Sequence, residues 1–379
     1  MNFERTDEQR ALQDSLSRNL KARYSFEQRR AYAASEAGHD PQTWAQLAEM
    51  GIVGLLISEE YGGIGGRVED LMPAMEEMGA ALSLEPVLGG VLAATALAEA
   101  ASPGQSRRLL PEVAAGRKVL AWAHDEPEGR HAPWWVRTKA RREGQAWVLD
   151  GMKSPVLNAP QAGAYVVSAR IGGEPGDRQG CALFLVEAEA PGVFTRPFRL
   201  VDDQAAGEIE LTAAPGEPLG DAMDGQRAAQ AVARAQGVGI AALCADTVGA
   251  MQAAYRLAID YLNTRQQFGR TIGQNQALRH RAADMLVSLE LAKSMRMAAA
   301  AAMDNPDSAE AARDVHRAKL SVARHARQLA QSAIQIHGGI GMTEEYAVGH
   351  YLRRIHVMDQ LLGDADAHAA RLAGLLATA

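Results

Sequence analysis

The stretch Gln335-Ile336-His337-Gly338-Gly339-Ile340-Gly341 decides how the C-terminal part of this 379-residue chain is read. Without a Cβ, Gly338 and Gly339 let backbone groups approach a ligand closely, and they serve equally well as a plain helix-to-turn break. Beyond them the chain runs through Glu344 and Tyr346 to Arg353, Arg354 and Leu362-Gly363-Asp364.

Working outward, the residues from about 226 onward carry helical periodicity. Ile240, Leu243, Thr247, Met251, Tyr255 and Ile259 recur at three or four residues and give one long packing face. Met285, Leu289, Ala292 and Met295 repeat in the same way, and Asn305-Pro306-Asp307-Ser308 supplies an interhelical turn. His316, His325 and His337 are scattered rather than set at metal-ligand spacing. From about 119 to 225 the pattern changes to period two. Trp147-Val148-Leu149 leads into Asp150-Gly151, a turn pair, and Tyr165–Ala169, Cys181–Val186 and Glu208–Leu211 read as strands. No G-x-G-x-x-G follows a strand, so a Rossmann nucleotide site has little support.

Up to about residue 118 the pattern is helical again. Asp7 is placed to cap a helix bearing Leu12, Leu16 and Leu20, and Trp44, Leu47, Met50 and Ile52 form a second stripe. Glycines then interrupt Glu59-Glu60-Tyr61-Gly62-Gly63-Ile64-Gly65-Gly66, and Met72, Met75 and Met78 return at helical spacing as core filling. The expected architecture is α+β: a helical domain over 1–118, a central antiparallel β domain over 119–225, and a helical bundle over 226–379 whose outer faces support subunit association.

Composition bounds the rest. Hydrophobic residues make up 47% and charged residues 22%, the balance of a globular chain rather than a disordered one. Thirty-nine Lys and Arg against 46 Asp and Glu leave a charge of -7, which argues against a nucleic-acid protein. Cys181 and Cys244 are the two cysteines, so neither a disulfide framework nor a CxxC metal site is expected. The opening Met1-Asn2-Phe3-Glu4-Arg5-Thr6-Asp7-Glu8 lacks an apolar leader core, and no uninterrupted apolar run approaches a membrane helix, so a cytoplasmic location is expected.

Several motifs together resemble the acyl-CoA dehydrogenase family over essentially the whole chain. They are Met50-Gly51-Ile52-Val53-Gly54-Leu55, the glycine-rich 59–66 run, Tyr261-Leu262-Asn263-Thr264-Arg265-Gln266-Gln267-Phe268-Gly269 with Gln276, and the His337-Gly338-Gly339-Ile340-Gly341 run. Gly249-Ala250-Met251, His280–Met285 and Gly363-Asp364-Ala365-Asp366 are most similar to small subunits of pimeloyl-CoA dehydrogenases. The resemblance implies a C-terminal four-helix domain and FAD between the β and C-terminal regions, completed by a neighbouring subunit. It implies an acyl-CoA substrate and an electron-transfer flavoprotein as acceptor. Arg265 and Phe268 then contact FAD from the neighbouring subunit, and Gln276, Gln335, Gly338 and Gly339 lie around its pyrophosphate or adenosine. An Arg at 265 suits a pyrophosphate because its guanidinium presents several fixed donors, although the bare residues also fit a surface ion pair.

The sequence departs from the family pattern at two places. Ala123-His124-Asp125-Glu126-Pro127 stands where relatives carry a Leu-Thr-Glu-Pro-type run, so Asp125 becomes a flavin-contact candidate, with a solvated turn as the alternative. A carboxylate there would disfavour a reduced, anionic flavin. Leu362 stands where relatives carry the proton-abstracting Glu, and the alternate base slot falls near Gly239 and Ile240. None of these can abstract a proton. Asp364 is the nearest local substitute, with helix or turn capping as its other reading. The expectation is a FAD-associated subunit of a heteromeric dehydrogenase whose base comes from a partner.

Overall fold

The computed structural model describes residues 5–377, so the first four residues of the opening run fall outside the described residues. Six helices come first: α1 (Asp7–Arg23), α2 (Phe26–Ala34), α3 (Pro41–Glu49), α4 (Val68–Ala81), α5 (Val87–Ala100) and α6 (Pro103–Ala114). The cap of α1 is Thr6 rather than the expected Asp7. The Thr6 side chain accepts from the Gln9 amide and Gln9 reciprocates to the Thr6 amide, leaving Asp7 as the first helical residue. Met72, Met75 and Met78 are buried on α4 as core filling.

Seven strands follow: β1 (Leu120–Ala123), β2 (Lys139–Glu143), β3 (Ala146–Leu157), β4 (Ala164–Arg170), β5 (Cys181–Glu187), β6 (Val193–Arg199) and β7 (Ala205–Pro218). They pair in the order β1-β4-β2-β3-β7-β5; β5 also pairs with β4, which closes the sheet into a barrel-like form, and β6 flanks β7. Leu149, Val167, Phe184, Ile209 and Leu211 fill its interior. Asp150-Gly151 is not the turn that the sequence suggested. The turn joining β2 to β3 lies at Gly144-Gln145, and Gly144 takes a φ of +63°. Asp150-Gly151 is instead a bulge within β3, where the register against β7 shifts between Leu149 and Gly151. Asp150 Oδ1 accepts the Ala213 amide at 2.7 Å, and a Cβ on Gly151 would lie 2.5 Å from Thr138 Oγ1.

The chain then forms α7 (Gly225–Thr264), a short hairpin of β8 (Gln266–Gln267) and β9 (Arg270–Thr271), α8 (Gln276–Ala302), α9 (Ala309–His337), α10 (Ala347–Gln360) and α11 (Ala365–Ala377). Ser308 caps α9, as the turn residues implied. The order is therefore an N-terminal helical domain, a central β domain and a C-terminal helical bundle. By compactness the residues group differently. One unit holds the chain up to Arg30, Val68–Ser83 and everything from Ile240 onward, and the other holds Ala31–Arg67 and Leu84–Gly239. Among described residues α7 alone is long and apolar enough to cross a membrane, but 89% of its apolar window is buried, as in a core helix.

Within the helical unit, α4 and α7 cross without side chains between them. A Cβ on Gly79 would lie 1.9 Å from the Asp246 carbonyl oxygen, and one on Gly249 would lie 1.9 Å from that of Glu76. Beside this crossing, Asp246 and Arg354 form a buried bidentate pair, with Nε to Oδ1 at 2.9 Å and Nη2 to Oδ2 at 2.6 Å.

Candidate functional site

One end of the helical unit gathers six of the residues that the sequence marked. The Arg265 amide donates to the Tyr261 carbonyl at 2.9 Å as α7 ends, and the Ile272 amide donates to the Arg265 carbonyl at 2.9 Å, closing the hairpin onto it. The Tyr261 ring lies 4.5 Å from His337, which lies 4.9 Å from Tyr346, so the end of α7 abuts the glycine turn after α9. His337 is buried, and its Nδ1 bonds the Ala333 carbonyl at 2.7 Å. Burial holds its imidazole below the usual histidine range, so it is neutral and packs as an aromatic plate.

Around that plate the surface is open. Arg265, Gln276, Gln335, Gly338 and Gly339 are exposed, and a Cβ added to either glycine would meet nothing within 4 Å. Phe268 is 98% exposed at the hairpin tip with a φ of +52°, a left-handed conformation in an apolar residue that none of the described residues covers. A guanidinium, free backbone next to two glycines and an uncovered aromatic ring together suit a ligand carrying a diphosphate and a planar ring.

Leu362 lies elsewhere on the same unit, in the turn between α10 and α11. Its φ is +58° and that of Gly363 is +104°, so the turn is tightly shaped. The buried Lys319 fastens it from α9. Its Nζ donates to the Met358 carbonyl and, at 2.8 Å, to the Asp359 carbonyl, and burial lowers its pKa to about 8. Lys319 sits sixteen residues before Gln335, roughly 24 Å along α9 at 1.5 Å per residue. The turn is therefore well removed from the glycine end.

Two histidines brace this turn. His368 Nε2 faces the Leu362 carbonyl at 3.1 Å, and His368 Nδ1 faces His316 Nδ1 at 3.0 Å. A carbonyl can only accept, so His368 carries its proton on Nε2 and takes the His316 Nδ1–H on the other nitrogen. Burial, with Arg371 adding repulsion, pushes His316 down to about 4 and His368 to about 3. Asp364 Oδ1 accepts the Ala367 amide at 2.8 Å, and its carbonyl accepts the His368 amide at 3.0 Å. Asp364 thus caps α11.

The β domain holds a third group, which the sequence reading did not single out. Lys153 is fully buried, and its three ammonium hydrogens meet the His124 carbonyl at 3.0 Å, Glu126 Oε1 at 2.8 Å and Ser168 Oγ at 3.0 Å. Glu126 also accepts the Arg137 amide at 2.6 Å, the Thr138 amide at 2.9 Å and the Thr138 hydroxyl at 2.7 Å. These donors outweigh the cost of burial and hold its carboxyl below the usual range. A solvated turn therefore does not describe Glu126. Asp125, half-buried between the two fixed neighbours, has its carbonyl bonded to the Ser154 amide at 2.9 Å. Lys153 escaped the sequence reading because a lone lysine in a strand reads as solvent-facing. The one available signal was its place on an alternating strand opposite Ile209.

The fold is shared with known proteins. Models of the acyl-CoA dehydrogenase N-terminal and C-terminal domains match residues 6–117 and 230–375. Acyl-CoA dehydrogenase FadE12 of Mycobacterium tuberculosis is 32% identical over 82% of this chain and 81% of its own length. The probable acyl-CoA dehydrogenase YngJ of Bacillus subtilis is 29% identical over 98% of each chain. Among solved structures, the Tcur3481-Tcur3483 steroid ACAD G363A variant superposes with a TM-score of 0.87 at 29% identity, covering 98% of both chains. The ChsE4-ChsE5 complex from Mycobacterium tuberculosis gives 0.88 at 25% identity, covering 100% of both. With both terminal domain models matched, and a relative above 30% identity along most of its length, this chain belongs to the acyl-CoA dehydrogenase family, whose members are flavoprotein oxidoreductases.

Proposed function

We propose that this chain is one subunit of a heteromeric, FAD-dependent acyl-CoA dehydrogenase that introduces an α,β double bond into an acyl-CoA or dicarboxyl-CoA thioester. The observation that carries the reading is Leu362: an apolar side chain on a firmly held turn, at the position where the resemblance places the family's carboxylate. Removing the proton beside the thioester carbonyl needs a base within hydrogen-bond reach, and neither Leu362 nor Gly239 and Ile240 can act as one. A partner subunit supplies it.

FAD, when bound, accepts the hydride from the adjacent carbon. On this chain Arg265 would neutralise its diphosphate, the Gly338 and Gly339 backbone would approach that group, and Phe268 would cover a ring face. Gln276 and Gln335 would donate to its polar edge. These groups are exposed, which suits a contribution to a site shared with a neighbour. Electrons would leave to an electron-transfer flavoprotein. Two-protein names among the similar structures, such as ChsE4-ChsE5, describe those assemblies and support a paired arrangement here. The likeness to pimeloyl-CoA dehydrogenase small subunits permits a dicarboxyl-CoA or another fatty acyl-CoA, and our reading divides the chain functionally at 118/119 and 225/226.

A second reading, a non-catalytic acyl-CoA- or FAD-binding subunit, is favoured by one observation: the Asp364 carboxylate, the nearest acid, already caps α11. Co-purification with native mass and flavin spectra separates the two. The first reading expects FAD and acyl-CoA oxidation only with the partner present. Full activity of the rigorously purified single chain would overturn the partner-supplied base, and Asp364→Ala would then test whether Asp364 serves instead.

A further inference from the structure

One face of α9 carries a polar stripe that no step described above uses. Glu310, Asp314, Arg317, Ser321, Arg324 and Gln328 follow one another at steps of four, three, four, three and four residues. That spacing keeps them in line along the helix. All six are exposed or half-buried, whereas Val315, Ala318, Val322 and Leu329 are buried and pack α9 into its unit.

The stripe changes sign along its length. Its two carboxylates, Glu310 and Asp314, line a groove of 740 Å³ beside Met297, Ala298 and Ala301 of α8. Its other four residues line a second groove of 570 Å³ beside Met295 and Leu320. Asp314 Oδ1 accepts from Arg317 at 3.2 Å where the two halves meet. Among the described residues Arg324 reaches a carboxylate only at 3.8 Å, that of Asp366, and both side chains are more than half exposed. An ion pair so long and so wet neutralises little.

The order of the six residues is its own complement. Their spacing is symmetric about position 319: Glu310 and Gln328 stand nine residues to either side, Asp314 and Arg324 five, Arg317 and Ser321 two. Turned end for end and laid on itself, the stripe sets carboxylate against amide, carboxylate against guanidinium, and guanidinium against hydroxyl. Every pairing joins a donor to an acceptor. A uniformly acidic or basic partner would match one half of the stripe and be repelled by the other. A two-fold axis across the helix supplies the required reversal, because residue i then meets j wherever j meets i.

We propose that this face of α9 binds the same face of a second copy of this chain, antiparallel. Asp314 of each copy meets Arg324 of the other, Arg317 meets Ser321, and Glu310 meets Gln328. Each stripe thereby enters both grooves of the opposite copy. None of the six is a cofactor candidate, so the contact is independent of the FAD reading and of the source of the base.

The test uses the full chain with two different affinity tags, together with any partner that co-purifies. Copies are counted by native mass and by capture of one tag through the other. At least two copies per particle are expected for the unaltered chain. Asp314→Arg sets guanidinium against guanidinium, and Arg324→Asp sets carboxylate against carboxylate. Each should weaken association at least about tenfold. Mixed together, the two variants should pair with each other, because every Asp314–Arg324 contact then joins opposite charges. The double variant Asp314→Arg/Arg324→Asp should pair with itself. Circular dichroism melting verifies that each variant is folded. A single copy per particle in the unaltered protein overturns the proposal, as does undiminished association in either single variant. Folded single variants that fail to pair when mixed overturn it equally.

Discussion

His316 and His368 make the Leu362 turn sensitive to acid. Both are held far below an ordinary imidazole, to about 4 and about 3, by burial and by Arg371. The unfolded chain binds protons on them near pH 6.5 while the folded chain does not, so their contribution to stability is complete above that pH. It falls as pH drops from about 6.5 through about 4. Chemical denaturation across this range should show stability declining with acid, and His368→Gln, which removes one titrating ring, should give a shallower decline. An unaltered slope would show that the pair is not buried neutral. At this scale the sequence shows Leu362 itself directly, and its standing in place of a base is part of the proposal. The ring pair and the Lys153 anchor were not legible, because they are contacts between residues 15 to 52 positions apart that no local pattern records.

Elements were more legible, because periodicity reports burial directly. The repeat of Ile240, Leu243 and Met251 marks the buried face of α7, and the strands at Tyr165–Ala169 and Cys181–Val186 lie inside β4 and β5. Asp150-Gly151 misled because a glycine pair signals a break without saying whether the chain reverses or only bulges, which here depends on Thr138 filling the space beside Gly151. Helix packing hid in the same way. Gly79 and Gly249 look like weak points in helices by propensity, yet each is where one backbone meets another. Gly249→Ala would drive a methyl into the Glu76 carbonyl, and Gly79→Ala into that of Asp246. Each should destabilise the fold by at least about 2 kcal/mol in urea unfolding, because backbone cannot move aside as a side chain can. Gly90→Ala, where a Cβ meets nothing within 4 Å, serves as the mild control.

For the whole molecule, the helical, β and helical order was readable from the two changes of periodicity, whereas the compact grouping of α1 and α4 with the C-terminal helices was not, since it joins segments far apart in sequence. The described surface also carries an apolar surplus. Leu286, Val287 and Leu291 remain exposed on α8, and Phe268 stands almost bare. Phe268→Ala should leave chemical stability within about 0.5 kcal/mol, because the ring touches little in its own chain, while reducing FAD retained by the purified assembly. Normal flavin content in that variant would remove Phe268 from the cofactor contact.

That bare ring also bears on the life of the chain before assembly. A phenyl group held in water by a left-handed backbone is an adhesive spot on a newly made chain, and chaperones and proteases survey such spots. On the heteromeric reading proposed above, the polypeptide expressed alone should clump or be degraded faster than when a partner subunit is co-expressed.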